Sequence, residues 1–463
     1  MRNNIWILTE ERPKASVLQI ILQKIAADEQ WAAFISTLKI LPVLENDKFT
    51  FTYEVIGFNC NRINKIFIKT VSGYSSFVDY LIFLQKESPT ENDMPIYAIE
   101  ETKTDDKESR NTGVFQRCTK FVFIEHYYPE VKKIMLYHLQ IEQKEKPTET
   151  YVFGTKLLMT LGVEILGKQL DSNVFKPFEN IDEIISLKDK MRKAPKGNVG
   201  ILLTKTSHKI QVSGRLYKSN GLSHDPNIGA LSLICAVLRK LGWENRLEII
   251  SHGLEQQHVG KTNKFIQIAN SLNIELENLL VPRASFHPKY WKYETEGEKL
   301  GTIFIHLAVE YFTTGFALFE NHAGCEKSYF LKADGTPIPL VKYEDRAAYK
   351  AGDKSKINHI PDLVLIDIER LEIINIEGKK YKFRKQGIEE LANYDFIEEY
   401  YIKRDYSDYK IIRTVVLYGS HEETIVEIEV SFLLNENGKM ILGVQAPQLF
   451  QNAIKNLLDY WAD

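Results

Sequence analysis

The stretch Pro361–Phe383, PDLVLIDIERLEIINIEGKKYKF, reads as a β-hairpin. A β-branched run, DLVLIDI, is followed by a tight turn at Glu369-Arg370 and a second run, EIINIEG, that ends in Glu377-Gly378-Lys379. Asp362 opens the first strand. Alternation along a strand puts Glu377 and Lys379 on one face, where an aspartate at the start of the antiparallel neighbour can meet them. Downstream, GIEELANYDFIEEYYIKR reads as a helix and KIIRTVVLYG as a further strand.

The same pattern occurs near the N-terminus. Asp79 opens the strand YLIFL, a polar connection (Gln85–Asp93) follows, and the next strand ends in Glu101-Thr102-Lys103. A helix around Thr112–Phe123 and the strand IMLYHLQI come after it. A chain with 62 acids and 59 bases contains roughly eight acid-x-base triplets by chance. What sets these two apart is the aspartate-led apolar strand before each and the helix and strand after it. Glu100 adjoins Glu101 and points to the opposite face of a regular strand; a bulge would exchange their roles.

Two carboxylates and a lysine at one spot suit metal-assisted phosphodiester hydrolysis. Carboxylate oxygens bind Mg²⁺ and leave room for waters and a phosphate oxygen. The lysine orients the attacking water or stabilises charge on the phosphate. On these residues both blocks resemble the PD-(D/E)xK nuclease superfamily and, within it, restriction-type endonucleases. The resemblance does not reach the middle of the chain. It implies two catalytic sets, Asp362, Glu377 and Lys379, and Asp79, Glu101 and Lys103, with Asp362, Glu377, Asp79 and Glu101 holding Mg²⁺. It also implies that Gln116 lines the first site. The first block lacks the proline before its aspartate, reading Phe77-Val78-Asp79.

The chain has 463 residues, enough for two or three domains at roughly 100–200 residues each. Its net charge of −3 and its 44% hydrophobic content match a globular protein and exclude a disordered tail, a collagen or a coiled coil. No apolar run is of membrane-spanning length, and the start MRNNIWILTEERPK lacks a secretory pattern. Cys60, Cys118, Cys235 and Cys325 are far apart, which fits a reducing cytoplasm and no zinc ribbon. Helix-type spacing fills Ala15–Leu41. P-loop and GxGxxG patterns are absent, which argues against NTP-driven translocation.

One segment breaks the charge balance. From Lys188 to Lys218 there are nine bases (Lys188, Lys190, Arg192, Lys193, Lys196, Lys205, Lys209, Arg215 and Lys218) and one acid, Asp189. Such a surplus forms either a solvated loop or a surface that tracks DNA phosphates. Arg239, Asn263, His287, Lys289, Tyr290 and Trp291 add residue types that read bases or stack on them, or that fill a core.

The expected fold is α/β: two nuclease-like units, each a mixed sheet flanked by helices, over residues 1–165 and 346–463, around a central α/β DNA-recognition region at 166–345. The expected function is Mg²⁺-dependent, site-specific cleavage of double-stranded DNA in the cytoplasm, alongside a companion DNA methyltransferase. The alternatives are a structure-specific repair or recombination nuclease and a non-catalytic DNA-binding module. Two centres in one chain would let each unit cut one strand; the competing account is one scaffold unit and a homodimer.

Overall fold

A computed structural model describes residues 2–45, 48–102, 115, 117–137, 148–167, 170–191, 200–218, 221–222, 225–294, 299–320, 329–331, 337–339, 359–418, 430–434, 440–442 and 446–462. The architecture is mixed α/β, with mixed sheets flanked by helices. The chain divides into two compact units. One comprises residues 3–10 and 71–292; the other comprises 1–2, 11–70 and 293–463. The expected first segment, 1–165, is therefore shared between them, and so is the expected middle, 166–345.

In the unit containing residues 71–292, β1 (Asn3–Thr9) pairs antiparallel with β2 (Tyr80–Gln85), and β2 pairs antiparallel with β3 (Tyr97–Thr102). Helix α1 (Cys118–Tyr127) then carries the chain to β4 (Lys132–Tyr137), which lies parallel to β3. Helix α2 (Glu149–Thr160) leads to β5 (Val163–Leu166), parallel to β4. A second sheet holds β6 (Leu202–Lys205), β7 (Lys209–Gly214), β8 (Arg246–Ser251) and β9 (Ile274–Leu276) in the order β9-β8-β7-β6. Helix α3 (Asp225–Lys240) joins β7 to its parallel neighbour β8.

In the other unit, α4 (Lys299–Phe312) precedes β10 (Phe316–Glu320). Strands β11 (Leu363–Asp367) and β12 (Glu372–Lys380) form the expected hairpin, with β10 antiparallel to β11. Helix α5 (Arg384–Leu391) and further short helical turns lead to β13 (Lys410–Tyr418), parallel to β12. Strands β14 (Val430–Leu434) and β15 (Met440–Leu442) complete the sheet, and α6 (Gln448–Ala462) packs on α4. Leu363, Val364, Leu365 and Ile366 are all essentially inaccessible, as strands covered on both faces must be. The helices responsible lie on opposite faces. Gly301 of α4 sits against Val416 and Gly387 of α5 against Val415, and successive strand residues point to opposite sides.

The stretch Ala15–Leu41 differs from expectation. Its helix ends at Asp28, and Ala33–Glu45 is a long strand paired antiparallel with Lys48–Cys60. The Phe34-Ile35-Ser36-Thr37 run has the β-branched and aromatic content of a strand, and its partner outweighs helical spacing there.

The β11–β12 turn is built by Asp367. This 1%-exposed side chain accepts the backbone N–H groups of Glu369 (3.0 Å) and Arg370 (3.2 Å) and pairs with the Arg370 guanidinium at 3.0 Å. The turn lets Leu371 take a left-handed φ of 53°. Asp367→Ala leaves two turn donors without their acceptor and is expected to lower unfolding stability by about 2 kcal/mol in denaturant titration. A loss below a few tenths of that would show that the turn does not depend on this carboxylate.

Candidate active site

Both hairpins place the aspartate in the same register. Leu363 pairs with Ile376, so Asp362 stands opposite Glu377. Tyr80 pairs with Ile99, so Asp79 stands opposite Glu100, not Glu101. The same hydrogen bond closes each pair. Asp362 Oδ2 accepts the backbone N–H of Gly378 at 3.0 Å, and Asp79 Oδ2 accepts that of Glu101 at 2.7 Å. Glu100 thus occupies the position of Glu377, and Thr102 stands where Lys379 stands.

Glu101, the residue expected beside Asp79, takes the opposite face without any bulge. Its Oε2 accepts the Tyr80 hydroxyl at 3.0 Å, and its Oε1 has no hydrogen-bond partner among the described residues. Alternation explains this: once Asp79 faces Glu100, Tyr80 and Glu101 share the other side. Lys103 and Gln116 lie outside the described residues.

In the Asp79 cluster the cations come from α1 and the residue before it. Arg117 Nη1 lies 2.5 Å from Glu100 Oε1 and 3.5 Å from Asp79 Oδ2. Lys120 Nζ lies 2.8 Å from Glu100 Oε2 and 3.1 Å from Asp79 Oδ1. Glu100 is fully buried. Burial, and then the Asp79 charge, push its carboxyl up to about 7 against the pull of Lys120 and Arg117. Two carboxylates face two cations, so the cluster is formally neutral.

The Asp362 cluster is built differently. Lys379 Nζ lies 2.7 Å from Glu377 Oε1 and 2.7 Å from Glu390 Oε2 on α5. The Tyr394 hydroxyl, four residues beyond Glu390, donates to Glu377 Oε2. Burial, then the Asp362 charge and a hydrogen bond with Glu390, push the Glu377 carboxyl up to about 8. Glu390 is held below its ordinary range, although burial opposes this, by Glu377 and Lys379. Among the described residues, Asp362, Glu377 and Glu390 gather around Lys379. Glu390 and Tyr394 were not expected from the hairpin motif. Their i, i+4 spacing on the following helix was the available signal.

A buried polar network seats that helical segment on the strand face carrying Glu377. Asn375, two residues before Glu377, donates to Glu398 Oε1 at 2.6 Å. Arg413, opposite Asn375 on β13, holds both Glu398 oxygens at 2.8 and 2.6 Å. Gly387 lets α5 approach. A Cβ there would come 2.9 Å from Lys379 Cγ and 3.0 Å from Val415 Cγ1.

The oxygen donors of this cluster suit a divalent cation. Asp362 and Glu377 offer two oxygen-donor groups, leaving waters and a phosphate oxygen for the remaining positions of Mg²⁺. Among the described residues no group of three His, Cys, Asp or Glu side chains is spaced to hold a metal by itself. A surface cavity of about 560 Å³ lies beside Asp367 and Arg370, at the turn end of the hairpin. That is roughly 17 Å along β12 from Glu377, so the cavity is separate from this chemistry.

Of the basic segment, Lys205 pairs with Asp182 at 2.6 Å and Lys209 with Glu248 at 3.1 Å. Lys188 is half-buried over the Phe153 ring, and burial lowers its pKa. Lys190 is exposed and Arg215 half-buried. Arg192, Lys193, Lys196 and the Lys218 side chain lie outside the description. Among the other possible base readers, Arg239 donates to four backbone carbonyls, those of Leu272, Trp243, Asn245 and Asn273. Tyr290 and Trp291 are 1% exposed and belong to the core. Comparison with protein-family models, curated proteins and solved structures gives no match to this chain.

Gly387→Ala is expected to displace the Lys379 stem and lower stability by about 1–3 kcal/mol through overpacking. Thermal unfolding checks this. An unchanged melting temperature would mean that α5 does not press on Lys379.

Proposed function

We propose that this chain is a Mg²⁺-dependent DNA endonuclease of the restriction type, with its reacting centre at Asp362, Glu377 and Lys379. What carries the proposal is the meeting of Asp362, Glu377 and Lys379 at the mouth of one hairpin. Around Asp362, the described residues bring together three carboxyls and one lysine, a set of oxygen donors that a divalent cation and its bound phosphate would suit. Around Asp79, two carboxylates are already matched by Arg117 and Lys120. Two active centres in one chain are less well supported than one.

Within that function Asp362 and Glu377 would hold the ion, which when bound supplies Lewis-acid polarisation of the phosphodiester and a more acidic water. Lys379 is fixed between Glu377 and Glu390. It stays protonated, because its partners raise its pKa despite burial. It can therefore offset charge that grows on the phosphate. Glu390 on α5 and Tyr394 in the helical turn after it hold Lys379 and Glu377 and act as positioning residues.

The wider setting proposed is cytoplasmic action on double-stranded DNA, with a companion methyltransferase protecting the host's own sites. Cys60, Cys118 and Cys235 are free thiols, as a reducing compartment requires. Among the described residues no helix is long and apolar enough to cross a membrane. With one centre per chain, cutting both strands takes two copies, so a homodimer on DNA is part of the proposal.

Supercoiled DNA with Mg²⁺ tests this. Lys379→Ala is expected to reduce cleavage at least 100-fold, while Lys103→Ala stays within about threefold of the parent. Loss in both variants would restore the two-centre account. No cleavage of any duplex by the parent protein, with binding intact, would leave a non-catalytic DNA-binding module. Cutting confined to flaps or junctions would point to repair.

A further inference from the structure

The seven residues from Lys379 to Lys385, KKYKFRK, contain five bases and no acid. Lys379 is committed to the carboxyl cluster. The other four lie where β12 ends and the chain turns through Tyr381–Phe383 into α5. This run is separate from the 188–218 segment and directly adjoins the candidate centre. Tyr381 packs with Tyr394, the residue whose hydroxyl holds Glu377, so the turn is anchored to the site through a shared core.

The side chains of this turn have two kinds of surroundings. The Arg384 guanidinium lies 4.5 Å from the centre of the Tyr381 ring, and one of its N–H groups points at the Tyr381 carbonyl at 3.4 Å. Lys382 and Lys385 are exposed, and among the described residues neither is ion-paired. Phe383, between them, is 41% exposed, with the Lys382 ammonium 5.0 Å from its ring centre. An exposed phenyl ring set among cations suits a ligand that is both polyanionic and flat-ringed. Nucleic acid is such a ligand: its phosphates match the lysines and its bases match the ring.

We propose that the turn Lys380–Lys385 is a strand-binding contact that delivers nucleic acid to the Asp362 centre. Lys382 and Lys385 hold consecutive backbone phosphates, and Phe383 stacks on an unpaired base. The assignment rests on the nuclease reading for its purpose and on the turn's own chemistry for its ligand. It also narrows the substrate. A base can reach Phe383 only if it leaves the stack, so cleavage of a duplex at this centre requires a nucleotide flipped out beside the scissile bond.

Binding measured without chemistry tests it. Full-length protein in EDTA is titrated into a fluorescent single-stranded oligonucleotide, and into its duplex, at several salt concentrations. Lys382→Ala/Lys385→Ala is expected to weaken binding and to reduce the slope of log affinity against log salt by about 1.4, at roughly 0.7 per single-strand contact. Phe383→Ala is expected to weaken single-strand binding about tenfold with the slope unchanged, and to leave binding to the closed duplex within about twofold. Because all three side chains are exposed, unchanged melting curves should accompany these effects. Parent-like affinity and slope in both variants would overturn the proposal, as would failure of the parent to bind any oligonucleotide. Tighter binding to anionic lipid vesicles than to DNA, lost in the lysine variant, would overturn it in favour of a membrane surface. If the binding pattern is as expected but the parent cuts nothing with Mg²⁺, the contact stands and the nuclease reading falls.

Discussion

Everything at the candidate centre depends on one short hydrogen bond and the strand register it closes. An aspartate at the mouth of a hairpin accepts the backbone N–H of the residue after a facing glutamate. That contact holds two carboxyl groups on one face of an antiparallel pair, where like charges would otherwise drive the strand ends apart. The opposition must then be relieved, by protonation, by cations from the protein or by a bound ion. The two hairpins share the constraint and differ in how they meet it.

Around Asp79, relief comes from within. Arg117 and Lys120 reach back to the strand and match both carboxylates. Around Asp362, the strand supplies the lysine and the helix adds an acid, Glu390. Burial and the facing aspartate push up the carboxyl of Glu377, as they do that of Glu100. The other cluster has the self-sufficiency of a structural tie. Its buried Glu100 is the member whose loss of partners would be felt most, because an unmatched charge would be left in the interior.

Much of this was legible in the residues, and what was not has identifiable causes. The second hairpin could be read to its register because its turn is short. With only Glu369 and Arg370 at the tip, Asp362 has no choice but to face Glu377. The first hairpin is joined by a long polar connection that leaves the register open by one residue. With adjacent acids at Glu100 and Glu101, one residue decides which of them meets Asp79. The lysine of that cluster was sought on the strand at Lys103, yet Lys120 arrives from a helix one turn beyond Arg117, a long-range contact that strand periodicity cannot reveal. Glu390 and Tyr394 were missed for a similar reason: which face of α5 lies on β12 is set by Gly387 and by the Asn375–Glu398–Arg413 network. The long strand Ala33–Glu45 shows tertiary pairing overriding a helix-like pattern.

The central claim is that only one of the two clusters has room for a divalent cation, and metal stoichiometry tests it most directly. Mn²⁺ serves as a paramagnetic probe for Mg²⁺, and its binding to the full chain can be counted by electron paramagnetic resonance. The account predicts one tight ion site per chain. That site should vanish in Asp362→Asn and persist unchanged in Asp79→Asn, with both variants folded by circular dichroism. Two sites of similar affinity, one lost with each substitution, would contradict it. So would a single site that depends on Asp79 and is indifferent to Asp362.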